Sequence, residues 1–233
     1  VKCIESISPN YIINCIGALI NGSNRDPENA IFLNSYLPHR LSRLADVINA
    51  KLIHISTDCV FSGEKGTSYI ETDEKDGNGV YAKTKGIGEV ISYKHLTIRT
   101  SIVGPGLKSD GEELFHWFMS QSGSISGHTR KIWSGVTTLE LAKAILWSIE
   151  NKITGLYHIT NNDSISKCDL LKLFKKYTGK EVDILPIDGK EVDKSFIDTR
   201  KLIDYKIPSY EQMVVEMTNL IRSNKVLYSQ YTV

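Results

Sequence analysis

Ile53-His54-Ile55-Ser56-Thr57-Asp58-Cys59-Val60-Phe61-Ser62-Gly63 decides the fold. With Leu52 before it, the run opens as a short apolar strand of the kind buried inside a parallel sheet, and it closes on hydroxyls. Working outward, residues 11–16 form a second apolar run behind the turn signal Ser8-Pro9-Asn10, and residues 96–100 form a third. A helix is predicted between the first two strands. Pro27 stands in its first turn, and Ile31, Leu37, Leu41, Leu44, Ala45 and Ile48 recur at near-helical spacing as far as Asn49. After the central strand, a polar loop over residues 63–79 leads into a helix from Tyr81 to about Tyr93. Strands alternating with helices, each strand continuously apolar, predict an α/β protein with a doubly wound parallel sheet covered on both faces. Right-handed crossovers then bring the strand carboxyl ends to one edge, where such sheets bind ligands. Residues 15–17, 56–58 and 100–103 stand at those ends.

The 233 residues can bury a core as one large domain, or as one domain with a smaller lobe. The charge balance of 28 basic against 27 acidic side chains, with no long block of one sign, excludes a general nucleic-acid grip. Cys3, Cys15, Cys59 and Cys168 lack Cys-x-x-Cys spacing and read as reduced, mostly buried thiols without a metal. No apolar run approaches the ~18 residues of a membrane span, and no signal peptide is visible. A soluble, cytoplasmic protein without a membrane partner is expected. The chain opens on Val1 rather than Met and reads as a piece of a longer product, entered within an α/β alternation. Further along, helices are predicted at 112–120, 138–150 with Thr138 as N-cap, 166–178 capped by Gly179, and 210–222. Extended segments are predicted at 131–136, 156–160 and 182–185, and residues 223–233 are expected to fray.

Tyr81 and Lys85 stand one helical turn apart and share a face. An ammonium beside a phenol is expected to lower a pKa that starts near ~10. With Thr57 they supply three parts of carbonyl chemistry: a hydroxyl for the oxygen, a phenol for the proton and a cation to tune the phenol. His54 and His158 read as packed or hydrogen-bonded rather than metal-ligating, and no metal site is expected. Cys59 reads as core or wall packing without a histidine partner, and His116 and Trp117 as packing residues of a helix.

Three stretches carry a family resemblance. Ser56-Thr57-Asp58-Cys59-Val60-Phe61-Ser62-Gly63 is similar to a Ser-Thr-Asp-Tyr-Val-Phe-Asp-Gly signature, and Tyr81-Ala82-Lys83-Thr84-Lys85-Gly86-Ile87-Gly88-Glu89 to a Tyr-Gly-x-Ser-Lys-x-x-Gly-Glu helix. Arg99-Thr100-Ser101 is similar to an Arg-Thr-Ser strand end. Together they resemble the dTDP-4-dehydrorhamnose reductase family of extended short-chain dehydrogenases/reductases, over residues 14 to about 208. The resemblance implies a Rossmann-like fold and NADPH- or NADH-dependent reduction of the C4 ketone of a nucleotide-linked 4-keto-6-deoxy sugar, for surface polysaccharide. It implies that Thr57 binds the keto oxygen, Tyr81 is the general acid, and Lys85 holds the nicotinamide ribose. Cys15, Ile16, Gly17, Asn34, Ser56, Thr100 and Ser101 would join Tyr81 and Lys85 along the cofactor. Asp58, Val103, Arg130, Trp133 and Thr137 would meet the nucleotide sugar. For His116 and Trp117, lining of the sugar pocket is the alternative to packing. Residues 1–103, with 135–160 returning to them, would form the cofactor domain, and residues 104–134 and 161–233 the substrate lobe. A homodimer is an open expectation.

The sequence also departs from that pattern. Cys59 replaces a tyrosine, Gly17 stands where alanine or an aromatic is common, and Trp133-Ser134-Gly135-Val136-Thr137 differs from Gln-x-Gly-x-Pro-Thr. The last difference extends the resemblance to relatives acting on UDP-linked 2-acetamido sugars. No Gly-x-x-Gly-x-x-Gly turn for a pyrophosphate is present, so missing N-terminal strand–helix units are expected. Two rival readings remain: a non-catalytic regulatory or nucleotide-sugar-binding protein on the same fold, and an epimerase or dehydratase of the extended family.

Overall fold

The computed structural model describes residues 2–108, 111–200 and 205–233. Residues 1, 109–110 and 201–204, which fall within the ranges assigned above to the two units, lie outside the described residues.

Helix α1 (Lys2–Ile7) leads into strand β1 (Tyr11–Asn14). Helices α2 (Ile20–Arg25) and α3 (Pro27–Ala30), a π-helical stretch at Ile31–Tyr36, and α4 (Leu37–Val47) follow before strand β2 (Lys51–Ile55). Asp26 starts α3 by accepting a bond from the Asn29 amide at 3.0 Å, and Pro27 occupies a position whose amide a helix leaves free. The single helix predicted here is thus an α–π–α run. Its π stretch buries Asn34 and Ser35 while leaving Ile31 exposed, an exchange of faces that apolar periodicity does not report.

A 3-10 turn at Asp58–Val60 precedes α5 (Val80–Ile87), β3 (Leu96–Arg99), β4 (Ile102–Val103) and α6 (Leu114–Ser120). Next come β5 (Ser124–His128), β6 (Lys131–Trp133), β7 (Val136–Thr137), α7 (Thr138–Glu150) and β8 (Gly155–His158). The chain continues through β9 (Ile165–Ser166), α8 (Lys167–Thr178), β10 (Asp183–Ile187), β11 (Val192–Asp193) and α9 (Tyr210–Ser223).

The main sheet runs β1-β2-β3-β8 with every pairing parallel. Its register sets Asn14 against His54, Ile55 against Ile98 and Arg99 against His158, so the strands end together at one edge. Side chains alternate across a strand, and β2 serves both faces. Leu52 packs with Leu41, Ala45 and Val90 beneath α4, whereas Ile53 and Ile55 join Ile98, Leu141, Ala144 and Phe115 in the larger core. Smaller pairings lie beyond the sheet: β4 with β7, β5 with β10, and β6 between β11 and β9.

Local expectations shift in four places. Helix α5 ends at Ile87, well short of Tyr93, where a Cβ on Gly88 would stand 1.8 Å from the Asn34 carbonyl oxygen. Only glycine lets the two backbones approach so closely. The N-cap of α7 is Thr137, whose hydroxyl accepts from the Glu140 amide at 3.2 Å; Thr138 is the first helical residue. Residues 223–233 do not fray: Tyr231 is buried, its ring meets Phe115 edge-on at 5.5 Å, and its hydroxyl accepts from the Gly106 amide at 3.0 Å. Cys3, at the surface of α1, and Cys15, in the turn after β1, are exposed, so burial holds for Cys168 and in part for Cys59. Gly179 does close α8 in the left-handed region, at φ 73°.

Candidate active site

The end of β2 turns sharply because its own side chains cap the turn. Thr57 Oγ1 accepts from the Cys59 amide at 3.1 Å and donates to Asp58 Oδ1 at 3.0 Å. Gly79, at φ 93°, swings the chain into α5 and sets Tyr81 opposite this turn. Between them lies a cleft of about 420 Å³, lined by Ser56, Thr57, Asp58, Cys59, Tyr81, Thr100 and Ser101. Ile102, Gly104, Pro105, Glu112, Glu113 and Thr138 complete one wall, and Leu19 and Ile20 another. The sequence reading placed Ile102 at this edge but missed Leu19, Ile20, Glu112, Glu113 and Thr138 as lining residues. The acids Glu112 and Glu113, just ahead of an apolar helix, were the available signal.

Burial raises the Tyr81 phenol well above its ordinary range, and the Thr57 hydroxyl only partly offsets this. The expected lowering by Lys85 does not occur. Lys85 is buried and donates to the Ile55 carbonyl at 2.7 Å, at the end of β2. Burial lowers its own pKa to about 8, against the opposing pull of Glu89 and Cys15. Asp58 is buried beside it all, and desolvation raises its carboxyl despite Lys194 and the hydroxyls of Thr57 and Ser101. Desolvation likewise pushes the Cys59 thiol up to about 11, leaving it a poor nucleophile. His54 is fully buried, bonded through Nδ1 to Asn14 at 3.1 Å, and kept neutral with a pKa lowered to about 3.

A network of charge-assisted bonds holds the floor of this edge. Arg99 grips Glu89 with two nitrogens at 2.7 and 2.8 Å, and Ser56 Oγ donates to the same carboxylate at 2.8 Å. Lys75 approaches it at 3.2 Å, and together these cations hold the Glu89 carboxyl below its usual range against burial. Arg99 also bonds the Glu71 carbonyl and the His158 ring, both at 3.2 Å. Ser56, Glu89 and Arg99, one from each of the three motifs, therefore meet at one buried clamp.

Other expected site residues scatter. Asn34 accepts from the Ala18 amide at 2.8 Å and donates to the Ala18 carbonyl and Thr84 Oγ1, both at 3.1 Å; it pins the turn after β1 to α5. In that turn Cys15 and Ile16 are exposed, and a Cβ on Gly17 would stand 3.1 Å from Asn34 Oδ1 and 4.0 Å from Lys85 Nζ. Thr100 donates to the Ile159 carbonyl at 2.8 Å, and Ser101 Oγ accepts from Trp133 Nε1 at 2.7 Å. Val103 points into the larger core while its neighbour Ile102 faces the cleft, as strand alternation requires. Thr137 is buried as a helix cap, and Arg130 lies at the surface bonded to Glu191.

A parallel sheet with helices on both faces, and hydroxyl, phenol and ammonium groups at its carboxyl edge, makes this a Rossmann-like α/β protein. The chain belongs to the RmlD substrate binding domain family, whose profile matches residues 1–196. It is 33% identical over 110 residues to the dTDP-4-dehydrorhamnose reductase of Shigella flexneri, covering 45% of this chain and 37% of that protein. To the dTDP-4-dehydrorhamnose reductase of Mycobacterium tuberculosis it is 37% identical over 167 residues, 67% of this chain and 55% of that one. The chain thus spans between about a third and about half the length of these curated relatives. In fold it is similar to the crystal structure of dTDP-4-dehydrorhamnose reductase from Bacillus anthracis in complex with NADP. The TM-score there is 0.82 at 22% identity, covering 94% of this chain and 83% of that one. Among the described residues, no helix is long and apolar enough to cross a membrane.

Proposed function

We propose that this chain carries out NAD(P)H-dependent reduction of the C4 ketone of a nucleotide-linked 4-keto-6-deoxy sugar, in the cytoplasm, for polysaccharide synthesis. The observation that carries this reading is the shared cleft of Thr57 and Tyr81, which sets a hydroxyl and a phenol against one space at the carboxyl edge of the sheet. A protonated phenol is a proton source rather than a base, which suits reduction of a ketone to an alcohol. The names of the relatives favour the nucleotide-sugar class of substrate.

A nicotinamide cofactor fits what surrounds Lys85. Gly17 leaves open a space beside Asn34 and Lys85 that a side chain would fill, and Ile16 and Ile20 offer exposed apolar surface to a flat ring. When bound there, the cofactor supplies the hydride. Lys85 holds ribose hydroxyls and keeps positive charge at the end of β2 below a pH of about 8. Cys15, Ile16, Gly17, Ser56, Thr100 and Ser101 shape the bed, and Asn34 fixes its turn. On substrate binding the Thr57 hydroxyl exchanges Asp58 Oδ1 for the ketone oxygen as its acceptor, Tyr81 delivers the proton to that oxygen, and Asp58 borders the sugar. Residues 1–103 with 135–160 act as the cofactor side, and 104–134 with 161–233 as the substrate side.

The test is NAD(P)H consumption with a 4-keto-6-deoxy nucleotide sugar. Tyr81→Phe is expected to lower turnover by roughly 10²- to 10⁴-fold with the fold intact. Turnover equal to the parent chain would remove Tyr81 as the acid.

A further inference from the structure

The turn after β1 passes beside Lys85, and two buried asparagines hold it. Asn34 bonds the amide and the carbonyl of Ala18 at its far end, and is itself braced by Thr84 Oγ1 and Ser23 Oγ, at 3.1 and 3.4 Å. Asn14 stands at its near end, where Oδ1 accepts from the Ile16 amide at 3.2 Å. The Nδ2 of Asn14 lies 3.1 Å from His54 Nδ1. The parallel register sets Asn14 directly against His54, so β2 braces one asparagine as α5 braces the other.

These bonds fix the tautomer of the ring. The Asn14 oxygen is committed to the Ile16 amide, so its NH2 group donates and His54 Nδ1 accepts. Burial, with Lys85 and His39, keeps the imidazole neutral against the pull of Glu89 and the Asn14 carbonyl. Its one proton therefore sits on Nε2, which is buried and meets no partner among the described residues. A buried N–H without an acceptor weakens a fold. Leu52, two residues earlier on the same face of β2, packs with Leu41, Ala45 and Val90, and a leucine at position 54 would carry no such penalty. Folding alone does not call for a histidine here. What the histidine adds is an acceptor for Asn14, which keeps the Asn14 oxygen turned to Ile16.

We propose that His54 is a positioning residue for the cofactor: acting through Asn14, it holds the Ile16 amide, and so the turn at residues 15–17, in the shape that a nicotinamide cofactor meets. The inference rests on the reading above that this turn belongs to the cofactor bed. It gives the two nitrogens of one ring separate parts. Nδ1 serves the turn, and Nε2 bears the penalty.

Nitrogen NMR of the 233-residue chain, labelled at its histidines, tests the bonds without cofactor or substrate. His54 is expected to be protonated at Nε2 and bare at Nδ1 at neutral pH, and a proton on Nδ1 overturns the proposal. Asn14→Asp, whose carboxylate cannot donate, should bring a proton onto Nδ1, and an unchanged ring signal there overturns it too. His54→Leu should speed exchange of the Ile16 amide with solvent roughly 10-fold, while the Ala18 amide, held by Asn34, exchanges as before. The same variant should weaken NADPH binding roughly 10-fold in calorimetric titration. His54→Asn, whose Oδ1 can accept in place of Nδ1, should restore most of both. His54→Phe replaces the leucine variant if that one does not fold. A histidine that merely fills space would leave Ile16 exchange and NADPH affinity parent-like in the folded variant, which refutes the positioning role. A parent chain that binds no NADPH, with Ile16 still loosened in the variant, refutes instead the cofactor reading of the turn, and the proposal falls with it.

Discussion

Glu89 and Asp58 are both buried carboxylates at the carboxyl edge of one sheet, yet they are built by opposite rules. On the floor, Glu89 receives Arg99 through two bonds, Ser56 and Lys75, and its carboxyl is lowered. At the mouth, Asp58 has the Thr57 and Ser101 hydroxyls and a more distant Lys194, and its carboxyl is raised by burial all the same. A charge removed from water must be repaid by close partners or it destabilises the fold. The floor repays it, so its residues hold the strand ends together. The mouth does not, and unrepaid polarity in a cleft is what a bound sugar could satisfy.

Breaking the floor should have the largest effect on stability. Arg99→Met strands Glu89 in the interior and should cost about 3–5 kcal/mol in urea unfolding. Removing both charges in Glu89→Leu/Arg99→Met should recover most of that loss, because the apolar pair leaves nothing unpaired. If the double variant is no more stable than the single one, the clamp owes its worth to Arg99 alone, through Glu71 and His158.

Lys85 lies between the two regions and sharpens the contrast through pH. Its folded pKa of about 8 lies below the ordinary 10.5, so the unfolded chain binds more protons between those values. Stability should therefore rise with pH across that window, with a ceiling of about 3 kcal/mol. Lys85→Met should flatten the rise when unfolding is followed between about pH 7 and 10. An equal slope in both proteins would mean that Lys85 titrates normally.

Asp58→Asn should move stability the other way from any change at the floor, by about 1 kcal/mol of gain at neutral pH. The folded pKa of Asp58 is raised above its ordinary 3.8, so its penalty is absent in acid and appears as pH rises through the raised value. The gain should vanish in acid, where the parent carboxyl is already neutral. Glu89 is the mirror case, its contribution present above 4.5 and lost as pH falls through its lowered folded value. A destabilised Asp58→Asn at neutral pH would place Asp58 among the clamp residues.

Much of this arrangement is legible in the sequence because it is local or periodic. The apolar runs ending in Ser56, Thr57 and Arg99 declare parallel strands, and Tyr81 follows a polar loop into a helix. The rest depends on directions that spacing does not carry. Four residues put Tyr81 and Lys85 on one face, but the ammonium extends to the Ile55 carbonyl, so burial, and not the ammonium, dominates at the phenol. Strand alternation turns Val103 inward and Ile102 to the cleft, which motif matching cannot tell. Strand β5, Ser124–His128, is too polar to stand out, and it forms by pairing with the distant β10. A second cleft, between α6, β5 and α8, draws Leu114, Lys131 and Lys167 from separate segments, so no stretch of sequence displays it.

The smallest effect is expected at the C-terminal tail, which touches the mouth from outside. Tyr231 accepts from the Gly106 amide at 3.0 Å and bonds His116 Nδ1 at 2.8 Å, next to Gly104 and Pro105 of the cleft wall. Tyr231→Phe keeps the ring against Phe115 and deletes those bonds, so it should cost about 1 kcal/mol. The loss should be local. Exchange of the Gly106 amide with solvent should accelerate roughly 5- to 10-fold, in proportion to that energy, while amides of β2 and β3 exchange as before. A Gly106 amide as protected in Tyr231→Phe as in the parent would show that the tail rests on the wall without holding it. The floor and the mouth would then be stabilised independently of the last residues of the chain.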